Sequence, residues 1–524
     1  MPSSWSRLLG LLPALATAFI TSCAEPEPGG DAEGVQAVSS GLTAQDRLDL
    51  CAQDPRVIAG LVSAQVCAGA DIFFRETFEG NGRACATCHP VANNFTIDVP
   101  FINALAASNP LDPLFVAEQD PALAELETPD LRALGLIREN VDGFEDLPNK
   151  FVLRGVPHTL SMSLTIAPDL ADGSTNPPVH RTGWSGDGAP GDGSLREFLT
   201  GAINQHYPTD LGRQPGVAFR LPTSQELDLT EAFQLSLGRT NELNLQQVNL
   251  TDPDANDGRL AFMDPARGRC NVCHFNGGAN HQSTGLNRNL DTGTRLAPAT
   301  GTIGAFDGGF GGQNLATPNI DAVGAGFLNG FGDGKFNTPP VIEAVDNPPF
   351  FHTNAFGNTI EAAVAFYTGP QFSVSPAAAE LTAQFGTPIA FPNDDINKMG
   401  RFLRVLSAAF NLDIAKQRLQ AAQTLVNQFN NTRADIQLGL MDLARVEIDD
   451  ALEVLAVDPS ANPLHPVAQT RLQEAKSEIA AGLAATTWSQ RQSRISTAIS
   501  RVQSARDHFG SNINFQLGQG NLMY

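Results

Sequence analysis

The sequence predicts a mainly α-helical fold with long loops, and three observations carry that expectation. Over residues 415–455 and 467–508 apolar side chains recur at spacings of three and four, including Leu419, Ala422, Leu425, Val426 and Phe429. Two short amphipathic segments, Gly69-Ala-Asp-Ile-Phe-Phe and Gly258-Arg-Leu-Ala-Phe, run through Gly/Arg turns into cysteine-histidine clusters. No stretch alternates strongly enough to call for a large sheet.

The first 22 residues read as an export signal: Arg7 supplies the positive charge, residues 8–20 the apolar core, and Ile20-Thr-Ser-Cys23 resembles a bacterial lipobox. On that reading Cys23 is the lipidated first residue of the mature chain, and residues 23–47 form a flexible tether rich in Pro, Gly and acids. Ala24 resembles the residue that sends lipoproteins on to the outer membrane. The competing reading places Cys23 beside an ordinary cleavage site. Either way the protein is expected in the periplasm or on the outer membrane. Beyond the N-terminus no apolar run reaches the roughly 18 residues that a spanning helix needs. Any membrane contact is then made by the lipid anchor alone.

A length of 524 residues allows two or three domains. The net charge of -23, from 33 basic against 56 acidic side chains, argues against nucleic acid and anionic lipid as partners. A charge-steered partner should be basic.

Four of the seven cysteines fall in Cys85-Ala-Thr-Cys-His89 and Cys270-Asn-Val-Cys-His274. Both are C-x-x-C-H, the attachment signature of c-type haem. Two thiols one helical turn apart can each form a thioether to a haem vinyl group, and the adjacent histidine then lies under the iron as proximal ligand. Zinc would need a second ligand pair near each motif, and none stands at zinc-finger spacing. With Cys23 lipidated, Cys51 and Cys67 remain as an even pair, expected to be a structural disulfide in an oxidising compartment. The repeated lead-ins then divide the chain into a first haem domain at 48–222, a second at 223–412 and an antiparallel helical appendage at 413–524, broken by Pro459-Ser-Ala-Asn-Pro463. The Pro-, Gly- and Asp-rich runs 187–193 and 301–334 read as loops.

The order of Gly80-Asn-Gly-Arg-Ala-Cys-Ala-Thr-Cys-His89, Arg154-Gly-Val-Pro157, Gly183-Trp184, the second motif, Phe336-Asn-Thr-Pro-Pro340, Pro349-Phe-Phe-His352 and Ile360-Glu-Ala-Ala-Val-Ala-Phe-Tyr367 resembles the bacterial diheme cytochrome c peroxidases and the related MauG enzymes, over residues 69–410. The resemblance implies two haem c domains packed face to face, calcium between them, and reaction with hydrogen peroxide at one iron. In the peroxidases a Met on a helix after the Pro-aromatic-Phe-His segment ligates the second iron, and MauG has a Tyr there. This chain has Tyr367, on a helix that Thr359 should cap, with Ile360 and Val364 on the same face. The alternative is an ordinary core tyrosine. A phenolate ligand favours oxidised iron and lowers the potential.

At the first haem the resemblance departs from the family. No histidine stands in residues 140–153 where the peroxidases have a removable ligand; His158, just after Pro157, is either a displaced ligand or a pocket residue. The missing ligand implies an open iron. The family's distal glutamate is also unmatched, and near its place stand Glu197, His206 and Tyr207. Peroxide heterolysis needs a base that takes a proton from one oxygen and returns it to the other. Imidazole can do both. His206 is therefore the first candidate and Glu197 the second, each weighed against a surface role. Trp184 is either an electron relay between the haems or a core tryptophan. Calcium would lie near Asn347 to Pro349, mostly on backbone oxygens, since the family's side-chain ligands correspond to Gly155 and Asn347.

The expected function is that of a diheme oxidoreductase of the peroxidase and MauG type, taking electrons from a small basic cytochrome or cupredoxin. A non-enzymatic diheme electron carrier and an oxygen-using diheme oxidase are the alternatives.

Overall fold

Short polar residues set most of the helix starts. Thr43, Ser63, Asp98 and Ser194 each accept an N-terminal N–H of α1 (Ala44–Cys51), α2 (Ala64–Arg75), α3 (Val99–Ser108) and α4 (Leu195–His206). Thr223, Asp252, Thr359 and Ser375 do the same for α5 (Ser224–Gln234), α6 (Pro253–Met263), α7 (Ile360–Phe366) and α8 (Pro376–Phe385). The computed structural model describes residues 41–140, 151–165, 182–184, 194–296, 334–355, 357–456 and 463–523. The export signal, Cys23, most of the tether, His180 and nearly all of the two Gly-rich loops lie outside these residues.

The chain is mainly helical, and strands are confined, among the described residues, to three two-stranded antiparallel ribbons. These are β1 (Leu136–Asn140) with β2 (Phe151–Gly155), β3 (Asn249–Leu250) with β6 (Gly510–Ser511), and β4 (Asn289–Leu290) with β5 (Phe336–Asn337). No described helix is long and apolar enough to cross a membrane.

Both cysteine-motif lead-ins are helices, and both use a glycine to approach a partner backbone. A Cβ on Gly69 of α2 would meet the Leu229 carbonyl of α5 at 1.9 Å. One on Gly258 of α6 would meet the Lys398 carbonyl at the same distance. Only glycine allows this closeness. Cys51 at the end of α1 is bonded to Cys67 in α2, which pins the first lead-in from behind.

Lys398 belongs to α9 (Asn393–Phe429), which is followed by α10 (Ala434–Leu455), α11 (Pro466–Leu483) and α12 (Trp488–Asp507). Polar pairs give the direction of packing. Asp413–Arg506, Lys416–Gln503, Gln423–Ser496 and Asn427–Gln492 run antiparallel between α9 and α12. Glu478–Arg494 and Glu474–Arg501 do so between α11 and α12. Leu419, Ala422, Leu425 and Val426 are buried, as their spacing requires. Two details differ from the sequence pattern. The boundary expected at 412 falls inside α9, because no glycine-proline break interrupts the apolar stripe there. The segments 415–455 and 467–508 are each two helices, since the chain turns at Asn430 and Arg433, both at positive φ, and again at 484–487.

The last residues return to the body. Gly518 and Gly520 N–H groups donate to Gly238 and Ser236 carbonyls at 2.9 Å, Asn521 exchanges hydrogen bonds with Gly238, and the Leu522 carbonyl accepts from Arg56. The bundle is thereby stitched to the segment that follows α5.

Candidate functional site

One continuous cavity holds both C-x-x-C-H motifs. Cys85, Cys88 and His89 line one part of it, and Cys270, Cys273, His274 and Tyr367 another. All four motif thiols are free, in contrast to Cys51 and Cys67. The motif side chains are enclosed by the fold yet remain half accessible, because what they face is the cavity.

The two motifs are built alike. Cys85–Cys88 is a single helical turn whose start is held by the Thr87 hydroxyl accepting the Ala84 N–H at 3.0 Å. The second motif forms a tight turn over Cys270–Val272. In both, the imidazole Nδ1 donates to a backbone carbonyl: His89 to Phe95 at 2.8 Å, His274 to Pro339 at 2.9 Å. A carbonyl can only accept, so Nδ1 carries the proton and Nε2 keeps its lone pair. That is the tautomer and anchorage found in ligand histidines. Burial pushes both imidazoles down to about 4, which keeps them neutral. Burial also raises the thiols, Cys85 and Cys273 to about 11, Cys88 and Cys270 to about 12, so none is a free thiolate at neutral pH.

Around His89 the cavity is rich in imidazole. The inner face of α4 presents Phe198, Leu199, Ala202 and His206, and His158 enters from the loop after β2. Burial, then the nearby Arg83 and Arg213, push His206 down to about 3. The Leu160 N–H donates to His158 Nδ1 at 3.3 Å, which places the His158 proton on Nε2. Burial lowers His158 as well. Glu197 lies on the opposite face of α4, exposed, and does not line the cavity. Tyr207, which the sequence placed beside His206 without a role, is buried with its hydroxyl 3.3 Å from Cys85 Sγ. Arg83 is fixed by Glu127 through two bonds of 3.0 and 2.8 Å and by the carbonyls of Pro113 and Leu114.

Trp184 also lines the cavity. Its indole N–H donates to the Gly155 carbonyl at 2.7 Å, and its own carbonyl accepts the Asn337 N–H at 2.7 Å. It is therefore held by one strand from each side of the second motif in sequence. His352, stacked on Phe336 at 3.8 Å, meets the indole edge-on at 6.5 Å. A buried ion pair, Arg239–Glu343, has Ser161 donating to the same carboxylate at 2.7 Å, next in sequence to the cavity residues Leu160 and Ala344.

Around His274 the donor set is different. Tyr367 caps the C-terminus of α7, and Ile360 and Val364 from the same helix also reach the cavity. Phe366 and Phe372 meet its ring at 5.4 and 5.0 Å. Its hydroxyl has no hydrogen-bond partner among the described residues, and burial beside Cys270 and Cys273 holds the phenol well above its ordinary range. Arg269, immediately before Cys270, is buried in the cavity wall. Near the place implied for calcium, Asn347 Oδ1 is buried without a hydrogen-bond partner. No group of three or more His, Cys, Asp or Glu that could hold a metal ion occurs among the described residues.

The donor chemistry fits covalently held haem. Each motif offers two uncharged thiols and one neutral, backbone-anchored imidazole on a shared, largely apolar cavity. No protein-family model, no curated protein and no solved structure matches the chain.

Proposed function

We propose that the chain is a diheme c-type oxidoreductase of the cytochrome c peroxidase and MauG kind, with cytochrome segments at 48–222 and 223–412. The observation that carries this reading is that two C-x-x-C-H motifs, with reduced thiols and carbonyl-anchored imidazoles, open onto one cavity. Cys85 and Cys88 would hold one haem with His89 as ligand. Cys270 and Cys273 would hold the other with His274 and Tyr367. When bound, the haems supply redox-active iron that passes electrons and reacts with peroxide.

Reduction of hydrogen peroxide takes two electrons and two protons and yields two waters. The electrons come from an external donor, and the acidic chain favours a small basic cytochrome or cupredoxin. A proton must also be moved between the two oxygens, and this role is supported for His206 by its being neutral, half-buried and on the lining of the same cavity as His89. His158 is the second imidazole there. Glu197 would need to turn to the other side of its helix to take part. Trp184, held from both sides, is the proposed relay between the two motifs. MauG-like oxidation of another substrate would use the same parts. Calcium near Asn347 belongs to this reading as well. So do export and a lipid anchor at Cys23, and the Cys51–Cys67 disulfide is what an oxidising compartment permits.

One observation favours the electron-carrier alternative: two further imidazoles, His158 and His206, stand near His89. If either ligates the first iron, that site is closed. Electron paramagnetic resonance of the ferric protein decides between them. The peroxidase reading expects one high-spin and one low-spin haem, with peroxide altering the high-spin signal. Two low-spin haems, unchanged by peroxide in oxidised and half-reduced protein, would leave a carrier.

A further inference from the structure

The residues that lead into the two motifs carry the same charge in different electrostatic surroundings. Arg83 stands two residues before Cys85, and Arg269 directly before Cys270. Both are nearly inaccessible, at 1% and 3%, and both line the cavity. Arg83 meets the Glu127 carboxylate through two parallel bonds, so its charge is neutralised locally. Arg269 has no such partner. Its donors go to neutral acceptors, the carbonyls of Pro265 and Thr387 and the Thr387 hydroxyl at 2.7 Å, and its guanidinium lies 5.0 Å from the centre of the Phe385 ring. No carboxylate lies within ion-pair distance of it among the described residues.

A charge taken out of water without a countercharge is costly, and proteins seldom keep one unless something anionic arrives beside it. In the low-dielectric wall its field is also weakly screened. We propose that Arg269 is a potential-setting residue of the second site: a fixed cation with no protein carboxylate on it among the described residues, which favours the more negatively charged, reduced state of the group held by Cys270, Cys273 and His274. It opposes the downward pull of a Tyr367 phenolate and keeps the second site within reach of an electron donor. At the first site Glu127 cancels the corresponding effect. This inference rests on the diheme reading and adds what distinguishes its two halves.

Spectroelectrochemical titration of the full-length mature protein tests it. Both haem potentials are measured in Tyr367→Phe, so that phenolate ligation does not intervene, and again with Arg269→Gln added. The account expects the second potential to fall by at least a tenfold change in the reduction equilibrium, about 59 mV for one electron, with the first potential unmoved. Arg269→Lys should restore it. Thr387→Glu, which gives Arg269 the carboxylate that Arg83 already has, should lower the second potential without removing any arginine, and serves if Arg269→Gln fails to fold. Thr387→Val, which removes a hydrogen bond and keeps the charge, should leave it in place. Two bound haems with a second potential unchanged in Thr387→Glu, or in Arg269→Gln, would overturn the proposal. A mature chain with no covalent haem would instead overturn the reading beneath it.

Discussion

The surroundings of His89 and His274 share a cradle and differ in what faces it. Each motif brings two uncharged thiols and an imidazole whose Nδ1 is tied to a carbonyl at 2.8 or 2.9 Å. Beyond that point they diverge. Around His89 stand two more imidazoles, His158 and His206, a tyrosine directed at a cysteine sulfur, and an arginine with its own carboxylate. Around His274 stand aromatic rings and, among the described residues, a phenol without a hydrogen-bond partner and an arginine with no carboxylate. The first arrangement suits proton transfer, because a neutral imidazole can take a proton from one oxygen and return it to the other. Under the proposed ligation by Tyr367, the second would suit holding an electron deficit, because an anionic oxygen ligand stabilises oxidised iron, with Arg269 opposing that pull. On the proposed diheme reading, the motif sets where a haem would be held, and the residues opposite set what it would be for.

The sharpest break of this comparison is to remove one cradle. Cys85→Ala with Cys88→Ala should yield a protein carrying only the second haem, and Cys270→Ala with Cys273→Ala only the first, each read by intact mass. If one double variant lost both haems, the two cradles would not be independent.

Tyr367→Phe tests the second environment. It removes the oxygen and keeps nearly all the apolar volume, so packing between Phe366 and Phe372 should tolerate it at a cost below about 1.5 kcal/mol. The low-spin signal of the second haem should change and its potential rise. A variant with the spectrum and both potentials of the parent would make Tyr367 a packing residue.

His206→Gln tests the first environment. General acid–base groups contribute on the order of 10²- to 10⁴-fold, so the rate of peroxide reaction should fall at least a hundredfold while the second-haem spectrum stays constant. An unchanged rate would move the role to His158.

The sign of the pH effect is fixed by the same residue. His206 is pushed down to about 3 when folded, against about 6.5 in an unfolded chain. Its depressed folded value means that the unfolded state takes the proton first. The stability linked to neutral His206 is therefore full above pH about 6.5 and is lost as pH falls toward 3. Thermal unfolding of the parent should weaken on acidification across this window more steeply than that of His206→Gln. Parallel curves would show that His206 is not buried as described.

The perturbation furthest from the chemistry concerns the support behind the first lead-in. Cys51→Ala with Cys67→Ala opens a loop of sequence separation 16. Loop entropy gives a loss of about 3 kcal/mol, which a denaturant midpoint would register with both haems still attached. A midpoint equal to the parent's would mean that α1 and α2 are held by packing alone.

Much of this was legible in the residues because it depends on local pattern. The two C-x-x-C-H spacings, the Thr359 cap and the pairing of Cys51 with Cys67 require no knowledge of distant contacts. Even the choice between His206 and Glu197 was present in helical phase. Nine residues at about 100° each place them on opposite faces of α4, so only one can face the cavity. What the pattern withheld depends on chain segments far apart. Arg269 is distinguished from Arg83 by Glu127, 44 positions beyond Arg83, which has no equivalent on Arg269 among the described residues. Tyr207 meets Cys85 across 122 positions. The turn at 430–433 was also hidden, because left-handed φ at Asn430 and Arg433 leaves the apolar spacing on either side unbroken.

The most direct test of the central claim is the intact mass of the full-length mature protein, produced by export in a host that carries the machinery for c-type haem maturation. The account predicts a chain bearing two covalently attached haems, with Cys51 and Cys67 oxidised and the other four body cysteines alkylation-resistant because they are thioethers. A mature full-length chain in which Cys85, Cys88, Cys270 and Cys273 all react as free thiols, with no added haem mass, would contradict it.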